Sequence, residues 1–157
     1  MLKAVIRVKG FGTMAFELFP DKAPITVANF IRVANSGFYD GLAFCRVVKG
    51  YVIQAGSPDN DIMTDSDFHI IGEFADNGHP TGLDHRRGAI SMARDDAPDT
   101  AGTQFFIVHQ DAHKLDGAYA SFGYMLEGFE VLDKIADVET SGPETWNRPL
   151  VFPVIES

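Results

Sequence analysis

The chain has 157 residues, of which 45% are hydrophobic, and a formal net charge of −9. This length predicts one domain over residues 1–157, and the negative charge makes nucleic acid an unsuitable partner because a phosphate backbone would be repelled. No stretch approaches the ~18 apolar residues of a membrane span. Cys45 is the only cysteine, so no intramolecular disulfide can form, and the missing apolar core of a signal peptide adds to the expectation of a cytoplasmic protein.

The N-terminal segment predicts a β-hairpin followed by a helix. In "LKAVIRVKGFGTMAFELFP" (residues 2–20), a Gly-Phe-Gly turn separates two strand-like runs, and the second alternates apolar and more polar residues. In "APITVANFIRVANSG" (residues 23–37), apolar residues recur at helical spacing. Pro24 suits the first turn of this helix.

The segment "AFCRVVKGYVIQAG" (residues 43–56) predicts a second hairpin with two polar residues, Arg46 and Gln54, among apolar neighbours. A two-residue loop, Lys49-Gly50, would place these two side chains on opposite faces of the hairpin. A three-residue loop that also includes Tyr51 would pair them directly. The residues alone leave both registers open.

The rest of the chain adds more strands than helices. Residues 57–88 are rich in Gly, Asp, Asn and Pro and predict a long surface excursion, with one strand-like piece at 68–74. Further strands are predicted at 88–93, 103–108, 120–126 and 149–156, and a second helix at 128–138. About eight strands with short connections and two helices predict a mainly β protein, an antiparallel barrel or sandwich with helical caps.

Familiar catalytic and metal-binding patterns are weak in this sequence. His109 and His113 are four residues apart, but turn-forming residues surround them and no HExxH frame is present. Ser91 and Ser121 lack the elbow motif of a nucleophilic serine. The acidic run 59–67 lacks the central Gly and terminal Glu of a calcium loop. We therefore expect no metal and no cofactor, and a site built from shape, apolar contacts and hydrogen bonds.

Three blocks, "AFCRVVKGYVIQAG", "GAISMARDDAPDTAGTQFFIV" and "KLDGAYASFG", follow one another in the chain. In this order they resemble the signature of the cyclophilin-type peptidyl-prolyl cis-trans isomerases, and the two predicted helices extend the resemblance over nearly the whole chain. The resemblance implies a closed eight-stranded antiparallel β-barrel capped by two α-helices, with a substrate groove on its outer face. It also favours the three-residue loop, with Arg46 and Gln54 in the groove and Cys45 and Val47 in the barrel interior.

The resemblance implies a role for each residue of the groove. Arg46 would be the catalytic residue, donating a hydrogen bond to the prolyl nitrogen as the peptide bond twists. Gln54 and Gln104 would orient the peptide or Arg46, and the backbone of Ala93 and Arg94 would bind the substrate. The proline pocket would consist of Tyr51, Val52, Phe106 and Leu115. The remaining substrate-binding positions implied are Phe44, Lys114 and Tyr119.

Several positions depart from the family pattern. The pocket pair Phe-Met of well-known members is Tyr51-Val52 here, which changes the shape of the pocket. Lys114 stands where a Trp contributes to cyclosporin binding, so we expect weak cyclosporin binding at best. Tyr119 stands at the position of a His, and its hydroxyl can still donate to a substrate carbonyl. The loop "ARDDAPDTAG" is one residue longer than in short-loop members, which leaves its two adjacent aspartates without an assigned role.

Three functions are compatible with these features of the sequence. The first is an active prolyl isomerase, expected to be a monomer, that acts on Pro-containing peptides and on unfolded or folding proteins. The second is a non-catalytic module or chaperone that binds Pro-containing peptides without turnover. The third is a small-molecule barrel of the lipocalin kind, which the many Phe and Ile residues at inward positions disfavour because they would fill the lumen.

Overall fold

The computed structural model describes residues 1–157 and contains one antiparallel sheet of seven strands. The strands are β1 (Leu2–Val8), β2 (Gly12–Leu18), β3 (Phe44–Val48), β4 (Val52–Ala55), β5 (Ala89–Met92), β6 (Phe105–Val108) and β7 (Ser121–Glu127). Their order in the sheet is β1-β2-β7-β5-β6-β4-β3. The mainly β class predicted from the sequence is confirmed.

The C-terminal segment connects the two edges of this curled sheet. Ile155 forms a bridge with Val8 of β1, and Val154 forms one with Ala43, next to β3. We predicted a full eighth strand at 149–156, whereas the structure has only these two bridges and one between Pro149 and Thr140. Pro149 and Pro153 explain the difference, because a proline cannot donate a ladder hydrogen bond.

Both predicted helices are present, as α1 (Pro24–Asn35) and α2 (Phe129–Ala136). Pro24 occupies the first turn of α1, where its missing N–H costs nothing. Val27, Phe30 and Val33 turn into the central core from α1, and Leu132 does so from α2. Neither helix, nor any other in the structure, has the length and apolar character needed to cross a membrane.

The excursion at residues 57–88 is held to the barrel by a few specific contacts. The strand-like piece at 68–74 forms only a single bridge, between Ile70 and Ala101. The buried carboxylate of Glu73 accepts hydrogen bonds from the backbone N–H and the hydroxyl of Thr26, at 2.6 and 2.7 Å. Glu73 therefore satisfies an orphan donor at the N-terminus of α1 and ties the excursion to that helix.

Aromatic and aliphatic side chains fill the barrel interior. A cluster of 26 buried residues includes Phe30, whose ring lies 5.5 Å from that of Phe105 and 5.2 Å from that of Phe122. These tilted and edge-on contacts are the arrangements that aromatic rings prefer. The packing of these side chains in the barrel interior argues against the small-molecule barrel.

Candidate functional site

The β3–β4 hairpin has the three-residue register. Arg46 pairs with Gln54, and Val48 pairs with Val52 across the loop of Lys49, Gly50 and Tyr51. Gly50 has φ 81°, a left-handed conformation that glycine adopts without strain. The predicted cross-strand pairing of Arg46 and Gln54 is confirmed.

A bulge in β3 changes the placement of two predicted residues. The register shifts between Phe44 and Arg46, and Phe44 joins Val47 in the central core. Phe44 is fully buried against Phe105, so it belongs to the core and not to the groove. We expected Cys45 inside the barrel, but it is buried outside the central cluster, and burial raises the pKa of its thiol to about 11. Cys45 is therefore an unreactive thiol.

A cavity of about 160 Å³ lies on the outer face of the barrel beside this hairpin. Nine residues line it, and all nine are among those that the sequence singled out. They are Arg46, Tyr51, Val52, Gln54, Ala93, Arg94, Phe106, Leu115 and Tyr119. Residues from four separate parts of the chain thus meet at one concave surface.

A chain of side-chain hydrogen bonds holds Arg46 at the edge of this cavity. Nη1 of Arg46 donates to Oε1 of Gln54 at 3.0 Å, and Nε2 of Gln54 donates to Oε1 of Gln104 at 2.8 Å. Nε2 of Gln104 in turn donates to the carbonyl oxygens of Ile62 and Thr64, at 3.2 and 3.1 Å. The relay fixes both amide orientations and anchors them to the excursion.

The Nε atom of Arg46 is buried and donates to no other group of the protein. A buried donor without an acceptor costs free energy, and such groups are uncommon in folded proteins. Arg46 lines the cavity and Gln54 fixes one end of its guanidinium, so the unpaired Nε belongs to a side chain that borders the cavity.

The apolar part of the cavity rests on a small second core. Val52, Phe106 and Leu115 belong to a cluster of six buried residues, separate from the barrel interior. Tyr119 packs edge-on against Phe106, with ring centroids 5.7 Å apart. These residues form an apolar pocket of suitable character for a small aliphatic ring.

The sequence did not reveal the residue that supports Phe106 from behind. The buried ring of His85 stacks on Phe106 with centroids 5.9 Å apart. Its Nδ1 lies 2.9 Å from Oδ1 of Asp116, and its Nε2 lies 2.9 Å from Oγ of Ser91. This geometry matches that of a Ser-His-Asp triad, but Ser91 has no exposed surface, so its hydroxyl cannot attack a substrate. The three residues instead support the floor of the pocket.

Arg94 forms one wall of the cavity through its side chain. Its guanidinium lies between the rings of Phe74 and Tyr119, 4.7 and 4.8 Å from their centroids. It donates two hydrogen bonds to the carbonyl oxygen of Ala118, at 2.9 and 2.7 Å. The backbone N–H of Ala93 donates to the carbonyl of Gln104, so it is already engaged within the protein.

Two predicted residues lie around the cavity without lining it. Gln104 lines a neighbouring cavity of about 60 Å³, to which Asp95 also contributes. The ammonium of Lys114 lies 4.4 Å from the ring centroid of Tyr51, so it covers one wall from outside. His109 and His113, considered above as a metal pair, instead bond to Asp133 and Asp116 respectively.

A larger cavity of about 550 Å³ lies elsewhere, between β1, α1 and the C-terminal residues. Eleven of its sixteen lining residues are hydrophobic, and none of them is a predicted site residue. Volume alone would favour this cavity, but a functional site also needs converging polar groups. Of these two cavities, only the one of about 160 Å³ combines an apolar floor with a lining residue, Arg46, that has an unpaired buried donor.

The protein-family model described as cyclophilin type peptidyl-prolyl cis-trans isomerase/CLD matches residues 3–157. The chain belongs to this family. It is 45% identical over 115 residues to peptidyl-prolyl cis-trans isomerase B of Bacillus subtilis (strain 168), an alignment that covers 73% of this chain and 77% of the relative. It is 38% identical over 156 residues to peptidyl-prolyl cis-trans isomerase A of Dickeya dadantii (strain 3937), covering 96% and 80%.

Solved structures agree with this membership. A Cryptosporidium parvum cyclophilin type peptidyl-prolyl cis-trans isomerase, crystallised in the presence of the dipeptide Ala-Pro, superposes with a TM-score of 0.88. The two proteins are 28% identical, and the match covers 99% of this chain and 96% of the other. The resemblance found in the sequence is therefore confirmed, and this cyclophilin-type chain is a peptidyl-prolyl cis-trans isomerase.

Proposed function

We propose that the outer cavity binds the proline of a Pro-containing segment and that Arg46 is the catalytic residue. The observation that carries this assignment is the buried, unpaired Nε of Arg46 beside an apolar pocket. This cavity combines these two features with the hydrogen-bond relay through Gln54 and Gln104.

The chemistry of the reaction requires a donor at this place. Rotation about a peptide bond faces a barrier of ~18–20 kcal/mol because twisting removes the amide resonance. In the twisted state the prolyl nitrogen regains its lone pair and can accept a hydrogen bond. A permanently charged, prepositioned arginine N–H stabilises that state more than the planar ground state, in which the lone pair is delocalised.

The apolar pocket would hold the proline ring while the bond rotates. Phe106 and Leu115 form its floor, and Tyr51, Val52 and Tyr119 complete its walls. His85 keeps Phe106 in place by stacking on its far face. A ring held in this way leaves the preceding carbonyl free to rotate, which is the motion that isomerisation needs.

The substrate class we infer is Pro-containing segments of peptides and of unfolded or folding proteins. The Cryptosporidium parvum relative that was crystallised with Ala-Pro supports this class. Isomerisation of such bonds takes tens to hundreds of seconds without a catalyst, so it limits the folding of many chains. We further propose that this protein acts as a cytoplasmic monomer, without a cofactor.

A proline-limited refolding assay tests the function together with Arg46. We expect the wild-type protein to accelerate the slow phase, and Arg46→Ala to lower this acceleration by about 10²- to 10³-fold, the usual loss for a transition-state donor. Arg7→Ala is the matched control, since Arg7 is exposed on β1 and does not line the cavity. Equal acceleration by wild type and Arg46→Ala would contradict the proposed mechanism.

Exchange NMR on a Pro-containing peptide separates catalysis from binding alone. Wild-type protein should both bind the peptide and speed its cis/trans exchange. Binding without faster exchange would instead support a non-catalytic module or chaperone. The unpaired Nε of Arg46 favours catalysis, because a module that only binds has no need of a donor for a twisted amide.

A further inference from the structure

His109 holds the loop that carries one wall of the cavity. It follows β6 directly and is almost completely buried. Its backbone N–H donates to the carbonyl oxygen of Tyr51 at 2.8 Å, and its ring Nδ1 accepts the backbone N–H of Gly50 at 2.9 Å. One residue therefore fixes backbone groups of two adjacent residues of the β3–β4 loop.

These contacts determine which ring nitrogen of His109 carries the proton. Nδ1 faces the N–H of Gly50, so it must keep its lone pair. Nε2 lies 3.0 Å from Oδ1 of Asp133 in α2, so it carries the hydrogen and donates it to the carboxylate. Arg87 also binds Asp133, through two bonds of 2.8 and 3.0 Å, and donates to the carbonyl oxygen of His109 at 2.9 Å.

We propose that His109 is a positioning residue for the isomerase site and that it acts only in its neutral form. The inference rests on the proposed role of the cavity, because its effect on substrate passes through Tyr51. Protonation would place a second hydrogen on Nδ1, opposite the N–H of Gly50. Two donors cannot bond to each other, so the protonated ring loses its bond to Gly50 while the backbone bond to Tyr51 remains. The wall against which the proline ring packs is then held less firmly.

The charged groups around the imidazole come from three parts of the chain. Asp133 and Asp137 lie in α2 and at its C-terminal end, and Arg87 lies just before β5. Lys49, in the loop itself, forms an ion pair with Asp137. Histidine side chains in general change charge between about pH 5 and 8.

Two substitutions at His109 test separately whether the ring must accept a hydrogen bond from Gly50 and whether its protonation causes the pH dependence. The side-chain oxygen of Asn can accept from Gly50 as Nδ1 does and cannot be protonated in this range, whereas Leu offers no acceptor. We expect wild-type kcat/KM for a Pro-containing peptide to fall about three- to tenfold between pH 8 and 5.5, the size of one neutral hydrogen bond, mainly through KM. His109→Asn should flatten this fall, and His109→Leu should remain at the low value throughout.

A matched control and a direct spectrum complete the test. His79→Asn, at an exposed histidine, should keep the wild-type profile. Ring ¹⁵N spectra at pH 8 should place the proton of His109 on Nε2, and the Gly50 amide signal should shift as the ring titrates. A wild-type pH profile in His109→Asn, or a proton on Nδ1, would overturn the inference.

The same measurements distinguish the failure of this inference from failure of the proposed function. A wild-type protein without isomerase activity would contradict the function, while the ring spectrum would still test the Gly50 contact. If His109→Leu does not fold, the asparagine variant and the spectrum decide the question. Active wild type with identical profiles in both folded variants would leave the proposed function intact and remove His109 from it.

Discussion

Arg46 and Gln54 are cross-strand partners, and their side chains share a hydrogen bond of 3.0 Å that leaves Nε of Arg46 unpaired. Gln54 is fixed in turn by Gln104, which bonds two backbone carbonyls of the excursion. The direction of the guanidinium is thus set by residues that need not touch the prolyl nitrogen. Each link in this relay can be broken separately.

Removing the far end of the relay should weaken catalysis less than removing Arg46. Gln104→Leu takes away the acceptor of Gln54 and both bonds to the excursion, so the amide of Gln54 can turn away from Arg46. We expect kcat/KM to fall by about tenfold, the effect of one or two hydrogen bonds, in an exchange assay on a Pro-containing peptide.

A double variant shows whether Gln104 acts through Arg46. In the Arg46→Ala background, Gln104→Leu should have little further effect on kcat/KM, because the group it orients is gone. Fully additive losses would mean that Gln104 contributes through its own contact with the substrate. Unfolding midpoints of all variants, measured in urea, control for a general loss of structure.

Tyr119 offers a second, smaller test of the groove. Its ring is held between the edge contact to Phe106 and the guanidinium of Arg94, so Tyr119→Phe preserves the packing and removes only the hydroxyl. If that hydroxyl donates to a substrate carbonyl, kcat/KM should fall by about two- to tenfold with an unchanged unfolding midpoint. Unchanged kcat/KM would show that Tyr119 serves only as a wall of the pocket.

The sequence predicted most of the site because the family pattern fixes which residues converge. It misplaced Phe44, since a β-bulge shifts side chains from one face to the other and leaves no mark in a short apolar strand. It missed His85, whose role depends on contacts with Ser91 and Asp116 that chain spacing does not reveal. The strand predicted at the C-terminus does not form as a full strand. The sequence itself contains the reason, because Pro149 and Pro153 cannot donate hydrogen bonds to a ladder.

Cyclosporin provides a test of the rim of the cavity. Lys114 places a charged ammonium 4.4 Å from the ring centroid of Tyr51. The family resemblance implies that a Trp at this position contributes to cyclosporin binding. We expect weak inhibition of the wild-type protein, and we expect Lys114→Trp to tighten it about tenfold, the gain from one added aromatic contact. Inhibition constants from the peptide assay measure both. Nanomolar inhibition of the wild type would contradict this prediction.

The stability of the protein should fall as the pH is lowered below about 6.5, and His85 should be a main cause. Burial lowers the pKa of His85 from its ordinary value of 6.5, an effect that the hydrogen bond to Asp116 only partly offsets. The unfolded chain therefore takes up a proton that the folded chain does not, so the free energy of unfolding decreases as the pH drops through this window. The aspartates with lowered pKa values, such as Asp84 and Asp133, affect stability only at lower pH.

Urea unfolding at pH 7.5 and 5.5 measures how much the free energy of unfolding changes with pH, separately from its absolute value. His85→Gln cannot titrate, so its loss of stability between the two pH values should be smaller than that of the wild type, even if the variant is less stable at both. His113 provides a control in which substitution should change the pH dependence of stability in the opposite direction. Its hydrogen bond with Asp116 raises the pKa of His113, which adds stability at low pH, so His113→Asn should steepen the fall. A His85→Gln slope equal to that of the wild type would show that another group causes the acid sensitivity.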